Sequence, residues 1–341
     1  LSNAAAPHPA RVLSAALVGT AVEFYDFYIY ATAAALVFPA LFFPSSAPSA
    51  QLLLSYATFA VAFIARPIGA LVFGHYGDRL GRKSTLVASL LLMGGSTFAI
   101  AFLPPFASIG LAAPVLLCLL RFGQGFGLGG EWGGAALLAV EHAPPNRRGL
   151  YGTAPQLGAP VGFIAANGLF LALGLGLSEA DFVAWGWRLP FAGSILLVLV
   201  GLWVRLKLTE TPAFAAMLAH EKPPTVPLLE LLQRHGRETL CGTAAAITCF
   251  TLFYIATAFA LGYGTKALGY PRSTFLTVQI GAIIAMAVGI LLAGWLSDKW
   301  GARRVLALGC VAAVAVGLAL PMMLGGGSLL LVGGWLALAL L

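Results

Sequence analysis

The sequence predicts an all-α polytopic membrane protein built of two similar halves, on three observations. Only 9% of its 341 residues are Asp, Glu, Lys or Arg, against roughly a quarter in soluble domains. Hydrophobic residues make up 60% of the chain and the mean hydropathy is +0.93. The third observation is a repeat: Gly74-His-Tyr-Gly-Asp78-Arg79-Leu-Gly81-Arg82-Lys83 returns as Gly294-Trp-Leu-Ser-Asp298-Lys299-Trp-Gly301-Ala302-Arg303-Arg304. Each copy is a short charged link between two long apolar runs, so each half repeats the same helix-link-helix unit.

A spanning helix needs about 20 apolar residues. Such runs occur at about 12–38, 52–74, 84–103, 112–140, 150–177, 187–205, 239–262, 273–296 and 305–324, and a tenth is begun at about 329–341. The first is too long for a signal-peptide core and is interrupted by Glu23 and Asp26, so it reads as a functional span. The chain begins without Met and stops inside the run around Trp335, which reads as a piece of a longer protein. Three regions follow: an N-terminal six-helix bundle over 1–205, a cytoplasmic linker over 206–238 and a partial C-terminal bundle over 239–341.

The net charge of +7 is distributed in a way that argues against nucleic acid. With the N-terminus inside, the inner loops hold Arg11, Arg79, Arg82, Lys83, Arg147, Arg148, Arg205, Lys207, Lys222, Arg234, Arg237, Lys299, Arg303 and Arg304. The outer loops hold Arg188, Lys266 and Arg272. Fourteen against three, over every alternate loop, is the positive-inside pattern and places the N-terminus in the cytoplasm. Cys118, Cys241, Cys249 and Cys310 all fall in apolar spans, without metal-ligand spacing, and read as small core residues. His8, His75, His142, His220 and His235 lie in terminal or cytoplasmic segments, and no nucleophile, metal or cofactor constellation emerges. An enzyme is therefore not expected.

Within the linker, Pro212, Pro223, Pro224 and Pro227 break any long helix, and 227–236 has the pattern of a short amphipathic helix on the inner membrane surface. In the fourth span, Gly125, Gly129 and Gly133 recur every four residues and form a smooth strip for close helix packing. Pro67, Pro155, Pro160 and Pro190 sit inside or at the ends of spans, where a kink is expected.

Charges inside apolar spans cost roughly 2.5–3.5 kcal/mol each at the helix centre. Five stand out: Glu23, Asp26, Arg66, Arg121 and Glu131. Glu23 and Asp26 are three apart and share a helix face, forming either a proton-coupling pair or structural locks for Arg66 or Arg121. Arg121 is either an anion-binding residue or the partner of a first-span acid. Glu131, about 15 Å further along the same helix, takes its partner from elsewhere, with Arg66 available, or is itself protonated. Glu23, Asp26 and Glu131 are thus the expected proton carriers; Arg66, Arg121, Gln124, Tyr25, Trp132 and Gln156 are the expected substrate-binding set. Tyr28, Asn167 and Tyr254 are weaker lining candidates, for which helix packing explains as much.

The first link, with Gly74, Asp78, Arg79, Gly81, Arg82 and Lys83, resembles the signature loop of the major facilitator superfamily. Gly19-Thr-Ala-Val-Glu23-Phe-Tyr-Asp26-Phe-Tyr, Ala65-Arg66-Pro67-Ile-Gly69, Gln124-Gly125, Gly129-Gly130-Glu131-Trp132-Gly133-Gly134 and Trp185-Gly-Trp-Arg188-Leu-Pro190-Phe are similar to its metabolite:proton symporters. The resemblance implies two six-helix bundles, the second incomplete here, around a site that opens alternately to either side of a bacterial inner membrane. It also implies a cytoplasmic gate comprising the first link together with Glu141, Arg148, Glu210, Asp298, Lys299, Gly301, Arg303 and Arg304. In the second copy of the link, Lys299 and Ala302 depart from the pattern. By pseudo-symmetry Asp78 latches to an eleventh helix that this chain lacks, and Asp298 approaches the start of the fifth span, around Arg148 to Gly152. The fifth span is only loosely like the antiporter signature, so symport is expected over exchange.

The expected function is proton-coupled uptake of a small organic acid. The alternatives are uptake of a zwitterionic osmolyte such as betaine or proline, whose ammonium would meet Tyr or Trp faces, and a transporter-like membrane sensor. Expected partners are the small-molecule substrate, protons and the lipid bilayer, with a monomer as the working unit.

Overall fold

The computed structural model describes residues 9–44, 47–80, 82–129, 139–140, 143–207, 227–325 and 328–341, and every regular element among them is helical. The long helices follow the apolar runs in order. They are α1 (Pro9–Leu36), α2 (Pro48–Leu80), α3 (Arg82–Ile100) and α4 (Ala112–Leu128). The fifth span is divided into α5 (Arg148–Gln156) and α6 (Gly158–Gly176), with Pro155 inside the first piece. Next come α7 (Arg188–Lys207), α8 (Pro227–Tyr254) and α9 (Ala260–Lys266). The series ends with α10 (Arg272–Trp300), α11 (Ala302–Leu324) and α12 (Leu329–Leu340). Single π-helical turns precede α7, at Phe182–Gly186, and separate α8 from α9, at Ile255–Phe259.

Five stretches are long and apolar enough to cross a membrane by themselves: Ser49–Tyr76, Arg148–Gly176, Arg234–Lys266, Arg272–Trp300 and Ala302–Pro321. The pair Glu179–Gly186 and Arg188–Trp203, bent by 44°, makes a sixth, while Val87–Ile100, α4 and α12 are shorter apolar helices. The amphipathic segment expected at 227–236 is helical but continuous with the seventh span. His235, at φ −130° and ψ 31°, supplies the kink between them.

In the first half, α1 packs on α6, α5, α7 and α2, while α4 lies between α2 and α3, and α3 leans on α7. The glycine strip explains the α2–α4 contact. A Cβ on Gly125 or Gly129 would run into the backbone of Ala62, Arg66 or Ala70, and one on Gly69 would meet the Phe126 carbonyl. Because lipid supplies no hydrophobic drive between helices, such close backbone approach is what holds them. Gly133, the third member of the strip, is outside the described residues.

The second half packs α10 on α12 and α11. The two halves meet where α10 lies along α5 and α6, and where α1 touches α9 and the π turn before it. The core is aromatic: Tyr28, Tyr30, Phe38, Phe163, Trp187 and Phe275 are fully buried. Cys241, Cys249 and Cys310 are exposed, contrary to the expectation of core cysteines. They lie on α8 and α11, which bury few of their side chains against the rest of the described residues.

Two arginines expected in outer loops have definite tasks. Arg188 Nη1 donates to the carbonyls of Ala101 and Leu103, at 2.6 and 2.9 Å, just past the end of α3. Pro104 and Pro105 follow there, so these carbonyls have no helical continuation to supply a donor. Arg272, in the first turn of α10, pairs with Glu179 at 3.2 Å and stacks over the Phe182 ring at 3.8 Å. That contact ties the start of α10 to the segment that follows α6.

Candidate functional site

Glu23 and Asp26 project from one face of α1 into the bundle, and both are buried. They line a pocket with Arg66 of α2 and with Arg121 and Gln124 of α4, walled by Phe27 and Met93. Its volume is about 10 Å³, room for about one water molecule. A molecule larger than water fits there only if the surrounding helices part.

Polar side chains cross the pocket in a defined order. Arg121 Nη1 donates to Gln124 Oε1 at 3.1 Å, one helical turn along α4. Gln124 Nε2 donates to Thr97 Oγ1 at 2.7 Å, and Thr97 Oγ1 donates to Asp26 Oδ2 at 3.0 Å. Among the described residues no ion pair joins Arg121 directly to Asp26; the amide and the hydroxyl mediate. Arg121 Nε and Nη2 and Asp26 Oδ1 have no hydrogen-bond partner among those residues.

Arg121, only 2% exposed, is packed in aromatic rings. Its guanidinium carbon lies 4.0 Å from the Tyr30 ring centre, 4.6 Å from Phe59 and 5.4 Å from Phe27. Tyr30 is fixed in turn by a 2.6 Å hydrogen bond with Thr58. Arg66 lies over Phe63 at 4.8 Å and interacts with Tyr254 of α8, so the pocket reaches the second half of the chain. Burying a planar, weakly hydrated cation among π faces offsets part of its desolvation.

The structure does not bring Tyr25 or Gln156 to this pocket. Tyr25 is one residue before Asp26 and so turned about 100° around the helix; its hydroxyl donates to the Pro190 carbonyl at 3.0 Å. Gln156 sits half-buried at the end of α5. Asn167 accepts from Thr32 at 2.6 Å, an ordinary interhelical bond. Glu131 and Trp132 lie outside the described residues, as do Glu141, Glu210, Gly81 and the side chains of Asp78, Arg79, Arg82 and Lys83. Thr97 and the rings around Arg121 are absent from the sequence-based expectation. A Thr in an apolar run gives no signal, because it can satisfy itself on the carbonyl four residues back.

At the far end of α10, Asp298 stands where pseudo-symmetry expects it. Its Oδ1 accepts from Gly149 N at 2.7 Å and its Oδ2 from Leu150 N at 2.9 Å. These are among the first amides of α5, which lack intrahelical acceptors and carry the positive end of the helix dipole. The link's glycines make the contact possible. Gly294 and Gly149 approach so closely that a Cβ on either would meet the other's backbone or side chains packed on it, and Gly301 ends α10 at φ +85°. Among the described residues nothing lies within 4 Å of a Cβ placed on Gly74, the counterpart of Gly294 in the first copy. Lys299 stacks on Trp295 of its own helix at 3.9 Å, and Arg148, Arg303 and Arg304 are exposed. Asp298→Ala is expected to loosen α10 from α5 by about 1–2 kcal/mol. Spin labels at positions 147 and 303 should then report a longer, broader distance distribution, with about a tenfold gain in the separated population.

A family model described as "Sugar (and other) transporter" matches residues 12–235. The chain is 51% identical over 335 residues to the inner membrane metabolite transport protein YhjE of Escherichia coli (strain K12), covering 97% of this chain and 76% of that one. It is 41% identical over 299 residues to the shikimate transporter of the same organism, covering 86% and 68%. Among solved structures, the proton:xylose symporter XylE superposes with a TM-score of 0.68 at 18% identity, covering 97% of this chain and 78% of XylE.

Proposed function

Because the chain belongs to the sugar (and other) transporter family of the major facilitator superfamily, we propose that it carries a small organic acid together with a proton, by alternating access. The observation that carries this reading is the pocket. It holds a buried carboxylate, Asp26, coupled through Thr97 and Gln124 to a buried guanidinium with two unpartnered nitrogens, Nε and Nη2. Those two N–H groups match the bidentate demand of a carboxylate.

Coupling then follows from charge balance. With Asp26 ionised, its charge offsets that of Arg121 inside the bundle. Once Asp26 takes a proton, Arg121 holds an uncompensated charge in a poorly solvated site, and a substrate carboxylate restores the balance. Proton and anion therefore favour each other's binding, as symport requires. Glu23 lines the same pocket and is the second candidate carrier. The E. coli shikimate transporter, a relative named for a carboxylic acid, supports an acid as the cargo. The rings of Phe27, Tyr30 and Phe59 are already packed on Arg121, which favours an anion over a quaternary ammonium seeking the same faces. The Asp298 contact is the inner gate in this reading, with the basic loops facing the cytoplasm.

The test is uptake of labelled shikimate by protein reconstituted in vesicles with an inward proton gradient. Accumulation abolished by a protonophore and competed by succinate, with betaine inert, is the expected result. Accumulation indifferent to the protonophore, or competed by betaine and not by acids, would overturn the reading.

A further inference from the structure

Asp26 is held by a hydroxyl with a choice of acceptors. Thr97 Oγ1 lies 3.0 Å from Asp26 Oδ2 and 3.0 Å from the Met93 carbonyl oxygen, and it accepts from Gln124 Nε2 at 2.7 Å. A hydroxyl has one hydrogen. Since Gln124 is the donor on one side, that hydrogen goes either to the carboxylate or to the carbonyl, never to both at full strength.

We propose that Thr97 is the positioning residue of the proton carrier: its hydroxyl donates to Asp26 when that carboxyl is charged and turns to the Met93 carbonyl when it is protonated. A hydrogen bond to an ionised acceptor is roughly twice as strong as one to a neutral group, so the charge on Asp26 decides the direction. Asp26 Oδ1 has no hydrogen-bond partner among the described residues and is the oxygen open to the incoming proton. With the proton on Oδ1, Oδ2 loses acceptor strength and the Met93 carbonyl prevails. The proton stays on Asp26; Thr97 gives none up, and only its O–H bond rotates. The hydroxyl keeps an acceptor in either state, which is why a hydroxyl suits this position and a methyl does not.

Thr97 does more than the ordinary threonine bonded to the preceding turn, because its oxygen is also the junction to Gln124 and hence to Arg121. A turn of the hydroxyl is thus felt at the guanidinium through one amide. The charged groups sharing the pocket with Asp26 are Glu23 on α1, Arg66 on α2 and Arg121 on α4, with Tyr25 adjacent on α1 and Tyr254 of α8 against Arg66. The neighbouring α6 has no titratable residue. The hydroxyl acts on top of this fixed field.

The proposal rests on Asp26 as the proton carrier, and the experiment separates the two. Infrared titration of the purified protein in lipid vesicles, without substrate, reads the protonated-carboxyl band against pH for the wild type and for Asp26→Asn, Thr97→Val, Thr97→Ala and Thr97→Ser. The chain has 12 Asp and Glu residues, so the reading is the component of the band that the wild type shows and Asp26→Asn should lack. Without the hydroxyl the charged carboxyl loses a donor, so Thr97→Val should move the titration midpoint to higher pH by about one unit, a tenfold change in the protonation equilibrium. Thr97→Ser should titrate as the wild type. Thr97→Ala reads the same loss if the valine variant is not recovered folded. Persistence of that component in Asp26→Asn overturns the carrier assignment. Its loss there, together with a wild-type midpoint in both hydroxyl-free variants or an equal shift in Thr97→Ser, overturns the role of Thr97.

Discussion

Asp26→Asn is expected to abolish accumulation against a gradient while leaving exchange of substrate across the membrane measurable. The carboxyl is 3% exposed and lies in the pocket with Arg66 and Arg121. Asn keeps the shape and can accept from Thr97, so the polar chain from Arg121 survives. What it cannot do is change charge. With one proton per cycle and a gradient of one pH unit, coupling supports about tenfold accumulation in the absence of a membrane potential. The variant should reach an internal concentration equal to the external one, while preloaded vesicles still exchange label. Tenfold accumulation by Asp26→Asn would remove Asp26 from the mechanism and leave Glu23 as the carrier.

Arg121→Ala is expected to lower the initial rate of uptake by at least about a hundredfold. Deleting one partner of a buried charged network costs about 3–5 kcal/mol, and here the deletion strands Gln124, Asp26 and three aromatic rings together. The double variant Asp26→Asn/Arg121→Ala tells the causes apart. If Arg121 serves only to neutralise Asp26, the double variant recovers exchange. If Arg121 also grips the substrate carboxylate, exchange stays lost. Arg121→Lys should remain strongly impaired, because an ammonium offers no planar fork.

The elements legible in the sequence are those carrying a penalty or a repeat. Glu23, Asp26 and Arg121 are visible because charge in an apolar run is costly enough to demand a reason, and the structure brings them to one pocket. The Gly294-to-Gly301 link is visible because it recurs, and the resemblance to the superfamily, with its pseudo-symmetry, implies the contact of Asp298 with the fifth span that the structure has. Thr97 is invisible for the opposite reason. Its bond to Asp26 spans 71 positions, and nothing local distinguishes it from any threonine in a helix. Tyr25 looks like a lining residue beside Asp26, yet adjacent positions on a helix face different neighbours. The π turn at Ile255–Phe259 is likewise unreadable in advance. Gln279 donates to the carbonyls of Ala256 and Thr257 there, so a side chain 22 positions away supports the distortion.

The helix α10 is fastened at both ends to one span and its continuation, by Asp298 on the first amides of α5 and by Arg272 on Glu179 beyond α6. A rod fixed at two points cannot tilt; release of one leaves the other as a fulcrum. The two fastenings differ in kind. Glu179 is 75% exposed, and an ion pair in water is worth only about 0–1 kcal/mol and weakens with salt. The carboxylate of Asp298 is partly shielded and grips two oriented N–H groups. The lever therefore has a weak end and a strong end, and ionic strength acts on one of them far more than on the other.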